Sequence, residues 1–291
     1  MFGCLRGLSL ALVVGFASIG MADEKPFMIQ AHRGAGIAQP ENTLEAFQYS
    51  WSLGVTPEAD LRTTSDGVIV CFHDGNLKRV VGNADESQKS QKIENMTAAQ
   101  VTDLEVGSFR GKQFEGQKVP KLESIFAAMQ GRPERMLYLD IKTADQARLI
   151  ELIHKYQVAP QVIYTTTHPE LIQQWKQRVP ESQTLCWNGG SEEKLTAKLA
   201  EIRKGNFEGI TQLQIHVRVG DLKSDDPFNP SKKFLTEVRD ELKQRGILFQ
   251  TLPWECSNEE AYTQLLELGV ESFATDYPEV TVAAVKKFQG K

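Results

Sequence analysis

Short apolar runs alternate with amphipathic, helix-like segments through almost all of the chain after residue 26, and this alternation constrains the fold more than any single motif. The strand-like runs are Phe27–Ala31, Val55–Leu61, Val68–Phe72, Met136–Ile141, Gln161–Tyr164, Thr184–Trp187, Gly209–Gln214, Ile247–Leu252 and Ser272–Thr275. Between them lie helix-like segments, among them Thr43–Leu53, Ala144–Tyr156, Pro169–Arg178, Glu192–Lys204, Lys232–Arg245 and Asn258–Leu268. Strands that alternate with helices build a parallel sheet covered by the helices. Asn42-Thr43 is a start signal for the first helix, and Gly54, Gly246 and Gly269 are stop signals. Val68–Phe72 follows the turn Ser65-Asp66-Gly67 closely and is expected to pair locally with Val55–Leu61 or to extend it after the turn. The remaining runs suit an α/β fold of the TIM (β/α)8 barrel type, with an open doubly wound sheet as the alternative. A barrel would put its site at the C-terminal ends of the strands.

The chain has 291 residues, 41% of them hydrophobic, enough for one barrel domain of roughly 250 residues. The stretch from Asn76 to Pro120 interrupts the alternation with polar and glycine-containing sequence. It is too long for a simple connection and reads as a small insertion, about 76–120, after the second strand. Asp and Glu number 38 against 33 Lys and Arg, so overall charge gives no reason to expect a nucleic-acid partner.

The first 22 residues have the layout of a secretory signal: Arg6, an apolar stretch from Leu8 to Ile19, then Gly20-Met21-Ala22. The stretch is shorter than the ~20 residues that span a bilayer. The expectation is cleavage near Ala22, a mature domain 23–291 without a stable membrane anchor, and a secreted or periplasmic location. Cys71, Cys186 and Cys256 remain after such cleavage. They allow at most one internal disulfide, match no zinc pattern, and are expected to be buried thiols.

Ionisable residues gather at the ends of several runs. In Glu58-Ala59-Asp60-Leu61-Arg62, strand periodicity puts Glu58, Asp60 and Arg62 on one face. Two crowded carboxylates invite a cation. His32-Arg33 follows the first run, His73-Asp74 the third, and Asp140-Ile141-Lys142 the fourth. Polar groups at several strand ends point to one shared site.

The stretches HRGAGIAQPENTLEAF from His32, EADLRTTSDGVIVCFHDGNLKR from Glu58, LEVGSFRGKQFEGQKVPKLESIF from Leu104 and LLELGVESFATDYP from Leu265 resemble the glycerophosphodiester phosphodiesterase family over almost the whole mature chain. The resemblance implies a TIM barrel with a short insertion after the second strand. It implies one divalent cation, Ca2+ or Mg2+, held by Glu58, Asp60 and Asp140. The family more often has glutamate at this third position, and Asp140 is one methylene shorter. It implies His32 and His73 as general acid and base, without assigning which is which, and Arg33 and Lys142 as groups that stabilise charge on the phosphate. The implied substrate is a small glycerophosphodiester, cleaved to glycerol 3-phosphate and an alcohol, through attack of the glycerol 2-hydroxyl and a cyclic phosphate. The alternatives are a sphingomyelinase D-like enzyme that cyclises without hydrolysis, against which the insertion argues, and a noncatalytic phosphodiester-binding protein.

Glu41 and Asn42 lie in the PENT segment. Glu41 is expected near the ligand or behind the residues that touch it, while Asn42 suits a helix cap. His154, His168 and His216 are expected to be structural or exposed. Trp254 and Glu255 could shape a pocket for the alcohol or merely pack. The family often has Trp or Asn where Gln250 stands.

Overall fold

The computed structural model describes residues 27–82 and 84–290; the expected signal segment lies outside the described residues. Eight parallel strands close on themselves. They are β1 (Met28–Ala31), β2 (Thr56–Thr63), β4 (Leu137–Ile141), β5 (Val162–Thr166), β6 (Gln183–Asn188), β7 (Gln212–Val219), β9 (Leu248–Pro253) and β10 (Ser272–Thr275). Pairing of β1 with both β10 and β2 completes the cylinder, which excludes the open sheet. Two short antiparallel strands lie outside the ring: β3 (Ile69–Cys71) returns along β2, and β8 (Phe228–Asn229) pairs with the end of β7. Of the two arrangements open to Val68–Phe72, the structure has the local pairing.

Alternation decides what each strand gives to which side. Ala59 and Leu61 of β2, and Leu213, Ile215 and Val217 of β7, join the main apolar core between sheet and helices. Their neighbours point into the barrel, where Tyr138 donates to Gln212 Oε1 at 2.8 Å and Gln250 donates to Ser272 Oγ at 2.8 Å and to Tyr138 Oη at 3.2 Å. Gln214 reaches Gln30 at 3.2 Å. These buried amides satisfy one another, as interior polar groups must, and form a floor beneath the mouth. Gln250 belongs to this floor.

Segment 76–120 packs around its own apolar cluster, including Leu77, Val80, Ile93, Val101 and Val119, joined to Val70 and Phe72 beside β3. The helix Ala98–Thr102 inside it begins with a capping box between Thr97 and Gln100. Helices Leu122–Met129 and Pro278–Phe288 complete the covering layer.

Three expectations change. Asn42 does not cap the first helix: Thr43 does, accepting from Ala46 N at 3.2 Å, while Asn42 turns with φ 56° and sends its side chain to Asp60. The strand read as Gly209–Gln214 runs Gln212–Val219, because Gly209 takes φ 76° in the preceding turn. That shift moves His216 out of a supposed polar stretch and into β7. Cys71, Cys186 and Cys256 are free and buried, as expected of buried thiols. Among the described residues no helix is long and apolar enough to cross a membrane.

Candidate active site

Every site residue expected from the sequence sits at the C-terminal mouth of the barrel. His32 and Arg33 follow β1, Glu58 and Asp60 lie in β2, His73 follows β3, and Asp140 and Lys142 end β4. His32, Arg33, Glu58, His73, Asp140 and Lys142 line one pocket of about 150 Å3. Glu41 lies beside it, buried under Arg33.

The loop after β1 is shaped by close backbone approach. Gly36 N donates to His32 O at 2.8 Å and Ile37 N to Asp276 O at 2.9 Å. A Cβ on Gly36 would lie 2.1 Å from the Asp276 carbonyl oxygen, so only glycine lets this loop press against the end of β10. The approach sets His32 Nδ1 2.7 Å from Asp276 Oδ1. Burial opposes charge on His32, but the hydrogen bond to Asp276 and the nearby charges of Glu58 and Asp276 prevail, raising it to about 9. Asp276 was not anticipated. Its partner is 244 positions away, and sequence spacing carries no signal for that contact.

His73 is held similarly. Its Nδ1 donates to Asp74 Oδ1 at 2.8 Å, and Arg33 Nη2 lies 3.1 Å from Nε2. Arginine can only donate, so in this contact Nε2 is an acceptor and the proton is on Nδ1. Burial disfavours the Asp74 anion, yet hydrogen bonds from Arg79 and His73 bring it down to about 2. Arg79 also grips Glu41 through two contacts of 2.7 Å. Asp74 and Arg79 lay in the quoted motif, but their geometry supplies the role that the sequence did not assign.

Glu58, Asp60 and Asp140 each offer a carboxylate oxygen, all within 4.8 Å of one another. Burial and the neighbouring carboxylates push Glu58 up to about 7, with His32 opposing. Asp140 is also raised, first by burial and then by Asp60 against the pull of Lys142. Burial would raise Asp60 too, but Lys142, His73 and the hydrogen bond from Asn42 hold it below the usual carboxylate range. Lys142 Nζ lies 3.1 Å from Asp60 Oδ1 and 2.8 Å from Asp140 Oδ2. The first contact lacks hydrogen-bond geometry, so Asp60 Oδ1 remains a buried acceptor without a donor among the described residues. An unfilled acceptor among three crowded carboxylates fits a hard divalent cation, whose ligands are oxygens.

The far wall of the pocket is aromatic. His216 stacks on Trp187 with ring centres 5.1 Å apart and planes 3° from parallel, and on Trp254 at 5.8 Å. His216 thus lines the site and is neither exposed nor remote. Period-two alternation from Gln212 and Gln214 would have found it, had the strand been placed correctly.

A barrel whose mouth gathers three crowded carboxylates, two oriented imidazoles and two basic side chains suits phosphodiester chemistry as a class. The model of the glycerophosphoryl diester phosphodiesterase family matches residues 32–280, and the chain belongs to this family. It is 23% identical over 268 residues to a glycerophosphodiester phosphodiesterase from Caldanaerobacter subterraneus subsp. tengcongensis, covering 89% of this chain and 98% of that protein. It is 25% identical to Lysophospholipase D GDPD1 of Homo sapiens, covering 85% and 82%. Among solved structures it resembles an Oleispira antarctica phosphodiesterase in complex with the product sn-glycerol-3-phosphate, with TM-score 0.67, 21% identity and coverage of 89% and 96%.

Proposed function

We propose that the enzyme is a metal-dependent hydrolase that cleaves small glycerophosphodiesters to glycerol 3-phosphate and an alcohol. The observation that carries this reading is the pair of imidazoles, each backed by a carboxylate on Nδ1, in the pocket that Arg33, Lys142, Glu58 and Asp140 also line, with Asp60 grouped against the last two. Arg33 and Lys142 bind the phosphate, Arg33 as a fork and Lys142 as a point charge. One histidine takes the proton of the glycerol 2-hydroxyl as its oxygen bonds to phosphorus. The other gives a proton to the alcohol oxygen as the P–O bond to it breaks. A five-membered cyclic phosphate results, and water opens it at the 2-oxygen with the two histidines exchanging roles. A neighbouring hydroxyl held in place can lower the entropic barrier to attack on phosphorus by several kcal/mol, up to about 7–11 in ideal cases. Glu58, Asp60 and Asp140 would hold the divalent cation, which supplies Lewis-acid polarisation of the phosphoryl oxygen and the hydroxyl when bound. The Ca2+ and Mg2+ choices share this donor chemistry.

The test is release of glycerol 3-phosphate from a panel of glycerophosphodiesters, first in EDTA and then with Ca2+ or Mg2+ restored. Release that returns with the cation supports the reading. Accumulated cyclic phosphate without release would replace it with the cyclising reaction. The leader-like first 22 residues support export, which sequencing the N-terminus of the protein recovered outside the cytoplasm would check.

A further inference from the structure

Two further hollows share Trp254 with the phosphate pocket. One, of about 440 Å3, carries Arg33, Glu41, Arg79 and Asp276. Those charges are already paired among themselves or with His32. The other, of about 390 Å3, shares both His216 and Trp254 and extends to Ser191, Arg218 and Asn229. Its floor is set by the short pairing of β8 with β7, which places Arg218 opposite Asn229.

We propose that this second hollow receives the alcohol arm of the diester, and that the alcohol it takes is a cyclic polyol of the inositol or hexose type, not a cationic amino alcohol. The inference rests on the phosphodiesterase reading above and assigns its leaving group. An aromatic path leads there from the reacting centre: the His32 and Trp254 rings are 6.2 Å apart, and Trp254 stacks on His216, which stacks on Trp187. Burial, with the charge of His32, pushes His216 down to about 4, so this ring is neutral at physiological pH. The C–H face of a polyol ring packs against such neutral faces, whose π clouds are electron-rich. Its rim of hydroxyls needs planar donors and acceptors, and Arg218 and Asn229 offer them. No side chain of either forms an ion pair or hydrogen bond with another described side chain.

An aromatic wall alone would also attract an ammonium group. Charge decides against that here. Arg218 is the charged side chain in the lining, no carboxylate accompanies it, and Glu192 beside Ser191 is engaged by Ser231 N and Oγ at 3.1 and 2.9 Å. An ammonium in this space would meet a guanidinium with no carboxylate in the lining to balance it.

The test compares kcat/KM for glycerophosphoinositol and glycerophosphocholine, using the full-length protein supplied with Ca2+ or Mg2+. A preference for the inositol diester of about tenfold or more is expected, the size of one charge-assisted hydrogen bond. Arg218→Glu should reduce that ratio by about tenfold or more, and because Arg218 is exposed the variant should fold. Trp254→Phe should retain the preference and Trp254→Ala should lose it. Equal use of the two diesters, a choline preference, or an unchanged ratio in Arg218→Glu would overturn the assignment. Turnover of neither diester would sink the phosphodiesterase reading instead, and the hollow is then judged by tryptophan fluorescence. Saturable quenching by myo-inositol, absent with choline and lost in Arg218→Glu, supports the polyol site; no inositol response overturns it.

Discussion

Arg79 and Glu41 meet fork to fork, with Nη1 2.7 Å from Oε2 and Nη2 2.7 Å from Oε1. The same guanidinium binds both oxygens of Asp74, whose Oδ1 orients His73. Glu41 reaches Arg33 at 3.4 Å, and Arg33 approaches the other nitrogen of His73. The contacts form a closed circuit that fixes the His73 imidazole and the Arg33 guanidinium together. Arg79→Lys keeps the charge but loses the two forks. We expect kcat to fall by about tenfold to hundredfold, as when a supporting hydrogen bond behind an active group is lost, with KM changing much less. Arg79→Ala leaves Glu41, 5% exposed, without its main partner. Because Arg79 is itself 42% exposed, the loss of stability should be about 1–3 kcal/mol, below that of a fully buried pair. Steady-state kinetics and urea unfolding check both, and a lysine variant of normal kcat would remove Arg79 from the circuit.

Asp276 controls the proton on His32. Burial alone would lower the His32 pKa, so its rise to about 9 depends on the Asp276 hydrogen bond and surrounding negative charge. Asp276→Asn should move the His32 limb of the kcat/KM profile to lower pH by about one unit or more. Movement of the alkaline limb would make His32 the acid, and movement of the acidic limb would make it the base. The sign for stability is also fixed. A histidine raised in the folded state contributes its full share below its ordinary value of 6.5 and loses it as pH rises through about 9. The stability gap between the parent and Asp276→Asn should therefore close over that interval in urea unfolding, and a gap independent of pH would contradict the pairing.

Glu58 has the same sign over a lower range of pH. Its folded pKa of about 7 exceeds the ordinary 4.5, so the cation-free protein loses stability as pH rises between those values. A cation at Glu58, Asp60 and Asp140 should offset that loss. At saturation of about a hundredfold over Kd, it should add roughly 2.7 kcal/mol. Differential scanning calorimetry should show a larger Ca2+- or Mg2+-induced rise in Tm above about pH 8 than below about pH 5, where protons compete for the carboxylates. Glu58→Gln should raise the Tm of the cation-free protein at alkaline pH and abolish most of the induced rise. Identical shifts at both pH values would argue against ligation by this trio.

Local patterns made the barrel legible. Alternation placed Ala59 and Leu61 on the core side and Glu58 and Asp60 on the other, and short spacing anticipated the return of β3 along β2. His32, His73 and Lys142 could be read because each follows an apolar run. The supporting groups were hidden for different reasons. Asp276 acts on a residue at the opposite end of the chain. Arg79 is meaningful only once the insertion has folded beside the first loop. His216 was displaced by a strand boundary, since Gly209-Ile210-Thr211 has β-like composition but turns through positive φ at Gly209. Such contacts are set by closure of the barrel, and local propensity carries no record of them.

Asn42 and Thr43 allow the local and long-range readings to be separated by experiment. Thr43 Oγ1 accepts from Ala46 N and donates to Pro40 O at 2.9 Å, which is the work of a helix cap. Asn42 Nδ2 donates to Asp60 Oδ2 at 2.7 Å, while Asn42 Oδ1 accepts from Asp60 N at 2.9 Å. Thr43→Ala should cost about 1 kcal/mol of stability and leave cation affinity near that of the parent. Asn42→Ala should weaken cation affinity by about tenfold to hundredfold, since Asp60 loses the group that orients it. It should also destabilise the cation-free protein by about 1–3 kcal/mol, because it unpairs a buried carboxylate oxygen. Asn42→Gly accommodates the φ of 56° and should recover part of that stability while leaving cation affinity impaired. Isothermal titration with Ca2+ or Mg2+ reads the affinity, and urea unfolding reads the stability. If Asn42→Gly restored both, the effect would lie in backbone strain alone, and Asn42 would have no part in holding Asp60.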